Sequence, residues 1–399
     1  MRRTSGHLGR LVAARAVRTF GYGALSVVLA VELSRRGLSA LQVGLLFTAA
    51  LWGGAAAGAA LPTLLGHRLR PALMGCAAAL AGSGAVVATS SDFRLLAAVF
   101  ALGLVSPTGQ DVAAFQALEQ TALATDTPGS RHVRVYALYD FSALVAAAAG
   151  GLAVAALSTL ASPQDPGTAP NAVVIWAFAA VSVALLPLYG GVPDVPRPVA
   201  RGRLGSSRRP ILALTALFGL DAFAGGFVVQ SFVALWFHQR FGLGPAALGL
   251  LFFGTNLLSG LSFLMAPFLV RRWGLLPTMV GTHLASNALL CAVPLLPTWE
   301  ASAAALLLRH LTSQVDVPVR RAYTMAAVLP EERAAAAGLT LAVRHVAAGL
   351  ATPLAGWSLP LASGAAPFLV AGALKACYDV ALWRAFRNYR LPGETPQRS

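Results

Sequence analysis

The chain has 399 residues, of which 57% are apolar and only 11% charged, well under half the roughly 25% charge of an ordinary soluble domain. That composition excludes a water-soluble globule. The formal charge of +15 is dispersed in twos and threes, almost all as arginine with a single lysine, Lys375, so it is not the concentrated basic patch that binds nucleic acid.

In chain order, MRRTSGHLGR leads directly into a long apolar span with no small-residue cleavage site, which predicts an uncleaved first helix and a cytoplasmic N-terminus. Breaks at Pro, Gly and charge clusters predict spans near 11–34, 41–65, 71–90, 94–122, 135–160 and 171–190, then 211–236, 245–269, 277–297, 301–327, 336–358 and 365–383. Each is near the ~20 residues needed to cross the hydrocarbon core and lacks the period-2 alternation of barrel strands. Helices are then the structure that satisfies the backbone in lipid. The predicted class is an all-α membrane protein of twelve transmembrane helices in two pseudo-symmetric six-helix bundles. Residues 1–190 form the first bundle, 191–210 a basic cytoplasmic linker, and 211–399 the second bundle with a short cytoplasmic tail.

Positively charged loops are retained in the cytoplasm. With the N-terminus inside, 22 of the 30 Lys and Arg residues fall on the cytoplasmic side, four (Arg35, Arg36, Arg94, Arg240) on the other, and Arg18, Arg309, Arg344 and Lys375 within spans. An internal repeat supports the count: GLSALQVGLLF at 37–47 matches GLGPAALGLLF at 242–252 with six identities in eleven. The same offset of 205 carries Asp111-Val112 onto Asp316-Val317, and Pro128-Gly129-Ser130-Arg131 matches Pro330-Glu331-Glu332-Arg333 at offset 202. Parallel six-helix repeats joined by a basic loop are a pattern of alternating-access transporters.

On these residues the chain resembles the major facilitator superfamily over nearly its whole length. In LPTLLGHRLR, Gly66, Arg68 and Arg70 match the family's loop between helices two and three, although Thr63 stands where an acid is expected. Its counterpart VRRWG keeps Arg272 and Gly274 but has Arg271 at the acid position. Pro-x-x-Arg closes the fourth and tenth spans, as in the family. The resemblance implies a gradient-driven transporter in a bacterial inner membrane, functional as a monomer, with both termini cytoplasmic and export as the preferred direction. No nucleotide-binding motif stands out, which favours a proton or solute gradient over ATP.

Charge within a span is costly and marks candidate sites. Asp111 and Asp316 occupy matching positions in spans four and ten, whose family counterparts line the central cavity; each can take up a proton or attract a cation, or simply bond a neighbouring helix. Arg18 and Arg309 can hold a carboxylate or phosphate bidentately, which favours an anionic or zwitterionic substrate; the alternative is that Arg15, Arg18 and Arg309 snorkel toward water or pair with the acids, with Asp221 a possible partner for Arg18. Lys375 and Asp379 have the i,i+4 spacing of a local ion pair. His283, His310 and His345 stand singly and read as helix contacts, with His310 or His345 as alternative proton relays. Cys76, Cys291 and Cys377 lack metal or disulfide spacing and read as buried apolar side chains. A cytoplasmic gate is expected in an outward-facing state where Glu119 aligns with Arg321, pairing with it or with Arg320, while Asp140 engages Arg344 or His345. Opening inward separates these pairs; the alternative is that Glu119 pairs within its own half, with Arg131 or Arg134, while Arg320 and Arg321 only follow the positive-inside rule. The expected function is secondary transport of a small organic molecule, proton-coupled, with no cofactor and the lipid bilayer as surroundings. Efflux of drugs or amphiphiles is an alternative substrate reading; a membrane-embedded enzyme or a transport-dead sensor is an alternative of another class.

Overall fold

The computed structural model describes residues 2–65, 68–126, 131–160, 170–194, 205, 207–329 and 332–389. Most of the basic linker, Gly66, the Pro128–Ser130 turn and the last ten residues lie outside the described residues, as do the side chains of Arg131 and Arg134.

The expected all-helical architecture is present. The first bundle comprises α1 (Arg2–Arg35), α2 (Ala40–Leu65), α3 (Leu69–Thr89), α4 (Phe93–Ala101), α5 (Ala113–Asp126), α6 (Arg131–Leu160), α7 (Pro170–Val183) and α8 (Leu185–Gly190). The second comprises α9 (Arg208–Gly226), α10 (Gln230–Phe241), α11 (Pro245–Trp273), α12 (Leu275–Ala292), α13 (Trp299–Ser313), α14 (Asp316–Ala326), α15 (Arg333–Ser358) and α16 (Ala366–Phe386). Among the described residues, ten helical stretches are long and apolar enough to cross a membrane. The other two spans, the fourth and tenth, are each built from two shorter helices, α4 with α5 and α13 with α14.

Those two breaks are a departure from the continuous spans expected, and each lies beside the matched aspartates. Residues 102–112 leave the helix around Pro107, with Gly103 and Gly109 at φ +69° and +71°. A Cβ on Gly103 would lie 1.9 Å from the Gly54 nitrogen, so only glycine fits there. Non-helical backbone at membrane depth is tolerated only inside protein, where its polar groups find partners. Here Tyr22 donates to the Leu104 carbonyl at 2.6 Å, Ser106 Oγ to that of Gln110 at 2.6 Å, and the Ser231 amide to that of Pro107 at 3.2 Å.

The surface is apolar and the interior charged, the distribution a lipid solvent demands. Leu264, Phe268 and Trp357 are exposed, whereas Arg18, Glu119, Asp221, Asp316 and Asp379 are buried. Cys76 is buried as expected, but Cys377 is exposed.

The bundles meet along two glycine seams. A Cβ on Gly44 of α2 would lie 2.4 Å from the Thr352 carbonyl of α15, and one on Gly249 of α11 would lie 2.6 Å from the Gly151 carbonyl of α6. Gly44 and Gly249 are related by the same 205-residue offset as the repeat. Both seams, and the Ser231 Oγ bonds to the Ser26 and Pro107 carbonyls at 2.9 and 2.8 Å, lie toward the end of the molecule where α1 finishes. At the other end, where α1 starts and the arginines gather, the ion pair that crosses between bundles among the described residues is Asp140 to Arg321, at 3.1 Å.

Candidate functional site

Buried charge collects in two separate networks, one per bundle. In the first, Arg18 projects from α1 with its side chain fully buried. Its Nε and Nη2 donate to the two oxygens of Asp111, both at 2.7 Å. Nη1 and Nη2 donate to the two oxygens of Glu119 at 2.9 and 3.0 Å, and Nη1 also bonds the Tyr189 hydroxyl. Tyr189 and Tyr139 in turn donate to Glu119 at 2.6 and 2.5 Å. All five guanidinium N–H groups are thus used. Arg15 lies over the Tyr139 ring, 3.8 Å from its centroid, and pairs with Asp111 at 3.5 Å and Asp140 at 3.0 Å without hydrogen-bond geometry.

The second network centres on Asp221 of α9. Its Oδ1 receives Lys375 Nζ from α16 at 2.5 Å, and its Oδ2 receives Nη1 of Arg320 at 2.9 Å and of Arg344 at 3.1 Å. Arg320 also pairs with Asp316 at 3.2 Å. Behind Asp221, the His283 ring of α12 stands between two carboxylates: Nδ1 is 2.8 Å from Asp379 Oδ1, and Nε2 is 3.5 Å from Asp221 Oδ1. Asn287 donates to Asp379 Oδ2 at 2.8 Å. Because α16 packs against both α9 and α12, Lys375 and Asp379 point into different neighbours. They do not form the i,i+4 pair that their spacing suggests.

A cavity of about 240 Å³ lies between the bundles, lined on one side by Leu51 and Thr108 and on the other by Asp221, Arg344, His345 and Lys375, with small residues of α9 and α15. Of the candidate residues, Asp221, Arg344 and His345 therefore border it. Asp111 and Asp316 do not line it; each is turned into its own bundle's network. Arg18 is saturated by Asp111 and Glu119, not by Asp221. Arg309 is half-buried, its Nε has no hydrogen-bond partner, and no acid reaches it within ion-pair distance among the described residues.

The gate pairs expected of an outward-facing state are not formed in this structure. Glu119 is committed to Arg18 and two tyrosines within its own bundle, and Arg320 to Asp221 and Asp316, so neither pairs across. Arg321 instead bonds Asp140, which sits between it and Arg15. Arg344 and His345 border the cavity and do not contact Asp140. Sequence offset sets position along a helix, but one residue rotates direction by about 100°; Glu119 turns into its own bundle and Arg321 toward Asp140. His310 and His345 each bond a carbonyl one turn back, at 2.7 and 2.9 Å. Tyr139, Tyr189 and Asn287 went unremarked in the sequence, where nothing separates them from packing residues. Among the described residues, no group of three or more His, Cys, Asp or Glu side chains is arranged to hold a metal.

No family model matches the chain. It is 22% identical over 346 residues to an uncharacterized membrane protein of Saccharomyces cerevisiae, an alignment that spans 76% of this chain and 77% of the yeast protein. Solved structures of similar fold include a bacterial homologue of the human lysosomal transporter Spinster in an inward-facing, occupied conformation, with TM-score 0.76 and 14% identity over 99% of this chain and 100% of that one. The nucleoside transporter NupG superposes with TM-score 0.74 at 13% identity, over 96% of this chain and 100% of its own. The human organic anion transporter MFSD10 does so with TM-score 0.67 at 17% identity, over 96% and 99%.

Proposed function

The chain has the fold of the major facilitator superfamily transporters, and on that footing we propose that it is a secondary active transporter of a small organic molecule, working by alternating access. The observation that carries the reading is the charged cavity between two bundles that are sealed by glycine seams at one end and linked by an exposed ion pair at the other. Such a body can open at either end by rocking about the cavity. The arginine-rich end is proposed to be cytoplasmic, with both termini there, in a bacterial inner membrane and in a monomer. The positive-inside asymmetry supports that orientation, and the seams then close the external side, as in an inward-facing state. Export is proposed as the direction on the resemblance alone.

Proton coupling is proposed to run through Asp379, His283 and Asp221 rather than Asp111 or Asp316, which are held by arginines. An ionised carboxylate only accepts hydrogen bonds, so the Nδ1 proton of His283 goes to Asp379, and in the neutral ring the Nε2 lone pair faces Asp221. A second proton, taken up at Nε2, would let the ring answer both carboxylates. The groups that contact His283 are Tyr378 and Asp379 from α16, Asp221 from α9 and Asn287 of its own helix, with Lys375, Arg320 and Arg344 bonded to Asp221 in turn. The other helices packed on α12 carry Arg309 and His310 on α13, Asp316 and Arg320 on α14, and the exposed Arg271 and Arg272 at the far end of α11.

The test is a screen of metabolites and drugs in proteoliposomes under an imposed pH gradient, in both membrane orientations. Wild-type protein should displace at least one compound across the bilayer together with protons. His283→Gln should keep exchange of that compound and lose its gradient-driven accumulation. Turnover without displacement would reveal an enzyme and defeat the transport reading, and accumulation unchanged in His283→Gln would defeat the coupling route.

A further inference from the structure

The charges around the cavity do not balance. In the second bundle three cations, Arg320, Arg344 and Lys375, share two carboxylates, Asp221 and Asp316, while Asp379 is spent on His283 and Asn287 and a fourth cation, Arg309, has no carboxylate within ion-pair distance among the described residues. Three of those cations converge on the single charge of Asp221. The first bundle cannot make up the difference, since Arg15 and Arg18 already hold Asp111, Glu119 and one side of Asp140, and the other side of Asp140 belongs to Arg321. An uncompensated cation in a poorly hydrated interior is expensive, and a bound anion removes that cost.

The donors that remain are on the cavity side. Arg344 spends only Nη1 on protein, on Asp221 and on the Phe218 carbonyl at 3.4 Å. Its Nε and Nη2 donate to no described residue and are not sealed from solvent, the side chain being 27% exposed. These two N–H groups are the edge of a guanidinium that receives a carboxylate or phosphate through two parallel bonds. Lys375, on the other side of Asp221, lines the same cavity; the Asp221 carboxylate and carbonyl take two of its three N–H donors, at 2.5 and 3.5 Å, and one is left to offer. The volume, about 240 Å³, is below the ~300–1,000 Å³ of pockets that take drug-sized ligands. It suits a compact metabolite better than the amphiphile that composition alone leaves open.

We propose that this cavity binds a small organic anion, whose carboxylate or phosphate is received by Arg344 and Lys375, and that Asp221 is a tethered stand-in for that anion, occupying the same cations when the site is empty. The inference rests on the reading of this cavity as the transport site, and it names the substrate class. An internal stand-in keeps the cations paired while the molecule changes state without cargo, and it is the group with which an arriving anion must compete. The occupant's own charge decides between it and neutral or cationic molecules of equal size.

The experiment uses the full chain in lipid nanodiscs and isothermal titration with four probes: benzoate, inorganic phosphate, benzyl alcohol and benzylammonium. Benzoate or phosphate should bind at least tenfold more tightly than the neutral and cationic probes of benzoate's shape. Arg344→Gln and Lys375→Gln should each weaken the preferred anion about tenfold, whereas Arg240→Gln, an exposed arginine at the opposite end, should leave it unchanged. Asp221→Asn removes the competitor and should tighten anion binding severalfold, a sign that a purely structural aspartate would not produce. Should that variant fail to fold, the glutamine variants still decide. The proposal is overturned if benzyl alcohol or benzylammonium binds as well as the anions, if folded wild type binds neither anion, or if Arg344→Gln binds like wild type. Anion binding without any flux in proteoliposomes would uphold the anion site while defeating the transport reading.

Discussion

Arg18 shows how a charge is held in a membrane interior: every one of its donors is spent on two carboxylates and a phenol, and no part of it is exposed. Removing one member of such a buried set strands the others, at about 3–5 kcal/mol. Arg18→Met should therefore cause a large loss of thermal stability in detergent, and an unchanged melting temperature would remove this network from the structural framework. Arg18→Lys keeps the charge, but a lysine has three donors and no planar fork, so it should melt between wild type and Arg18→Met. Tyr189→Phe removes a hydroxyl that accepts from Arg18 and donates to Glu119, and should cost about 1–3 kcal/mol by the same assay.

Elements here are shaped as much by interruption as by continuity. The fourth span turns at Gly103 because its backbone passes against the chain at Gly53 and Gly54, and a side chain has neither the space nor the φ for that position. Gly103→Ala should reduce the yield of folded protein, measured by monodispersity after extraction, whereas Gly75→Ala, where an added Cβ meets nothing within 4 Å, should not. The seams make a second case. Gly44→Val or Gly249→Val places methyl groups against a facing backbone carbonyl, and rigid backbone cannot retreat as a flexible side chain can. Each should lengthen spin-label distances between bundles at the sealed end, and distances unchanged in both variants would mean that the seams are not the closure.

Across the whole molecule, the bundles are held together at one end by backbone contact and at the other by an ion pair whose arginine is 63% exposed. Exposed pairs contribute only about 0.2–1 kcal/mol, so Asp140–Arg321 can bias two states without locking either. Arg321→Glu should widen the distance between bundles at the arginine-rich end, and the exchange Asp140→Arg with Arg321→Asp should recover part of the effect. A double-mutant cycle on these positions should give a coupling of about 1 kcal/mol or less; strict additivity would show that the pair takes no part. Recovery will be incomplete because Asp140 also serves Arg15.

Twelve spans, two bundles and their pseudo-symmetry were legible in the chain itself, because solvation by lipid acts on composition residue by residue and a repeated unit leaves a constant offset. The buried ionisable residues were legible for the same reason, since charge in an apolar run stands out wherever it points. Their partners were not. Lys375 and Asp379 are one turn apart and yet answer α9 and α12; Glu119 turns into its own bundle while Arg321 reaches across to Asp140; Arg344, expected at the gate, borders the cavity. Partner choice depends on helix rotation and on which neighbours pack, quantities set by contacts distant in sequence, as between Asp221 and Lys375, 154 residues apart. Those contacts exist only once the helices have assembled.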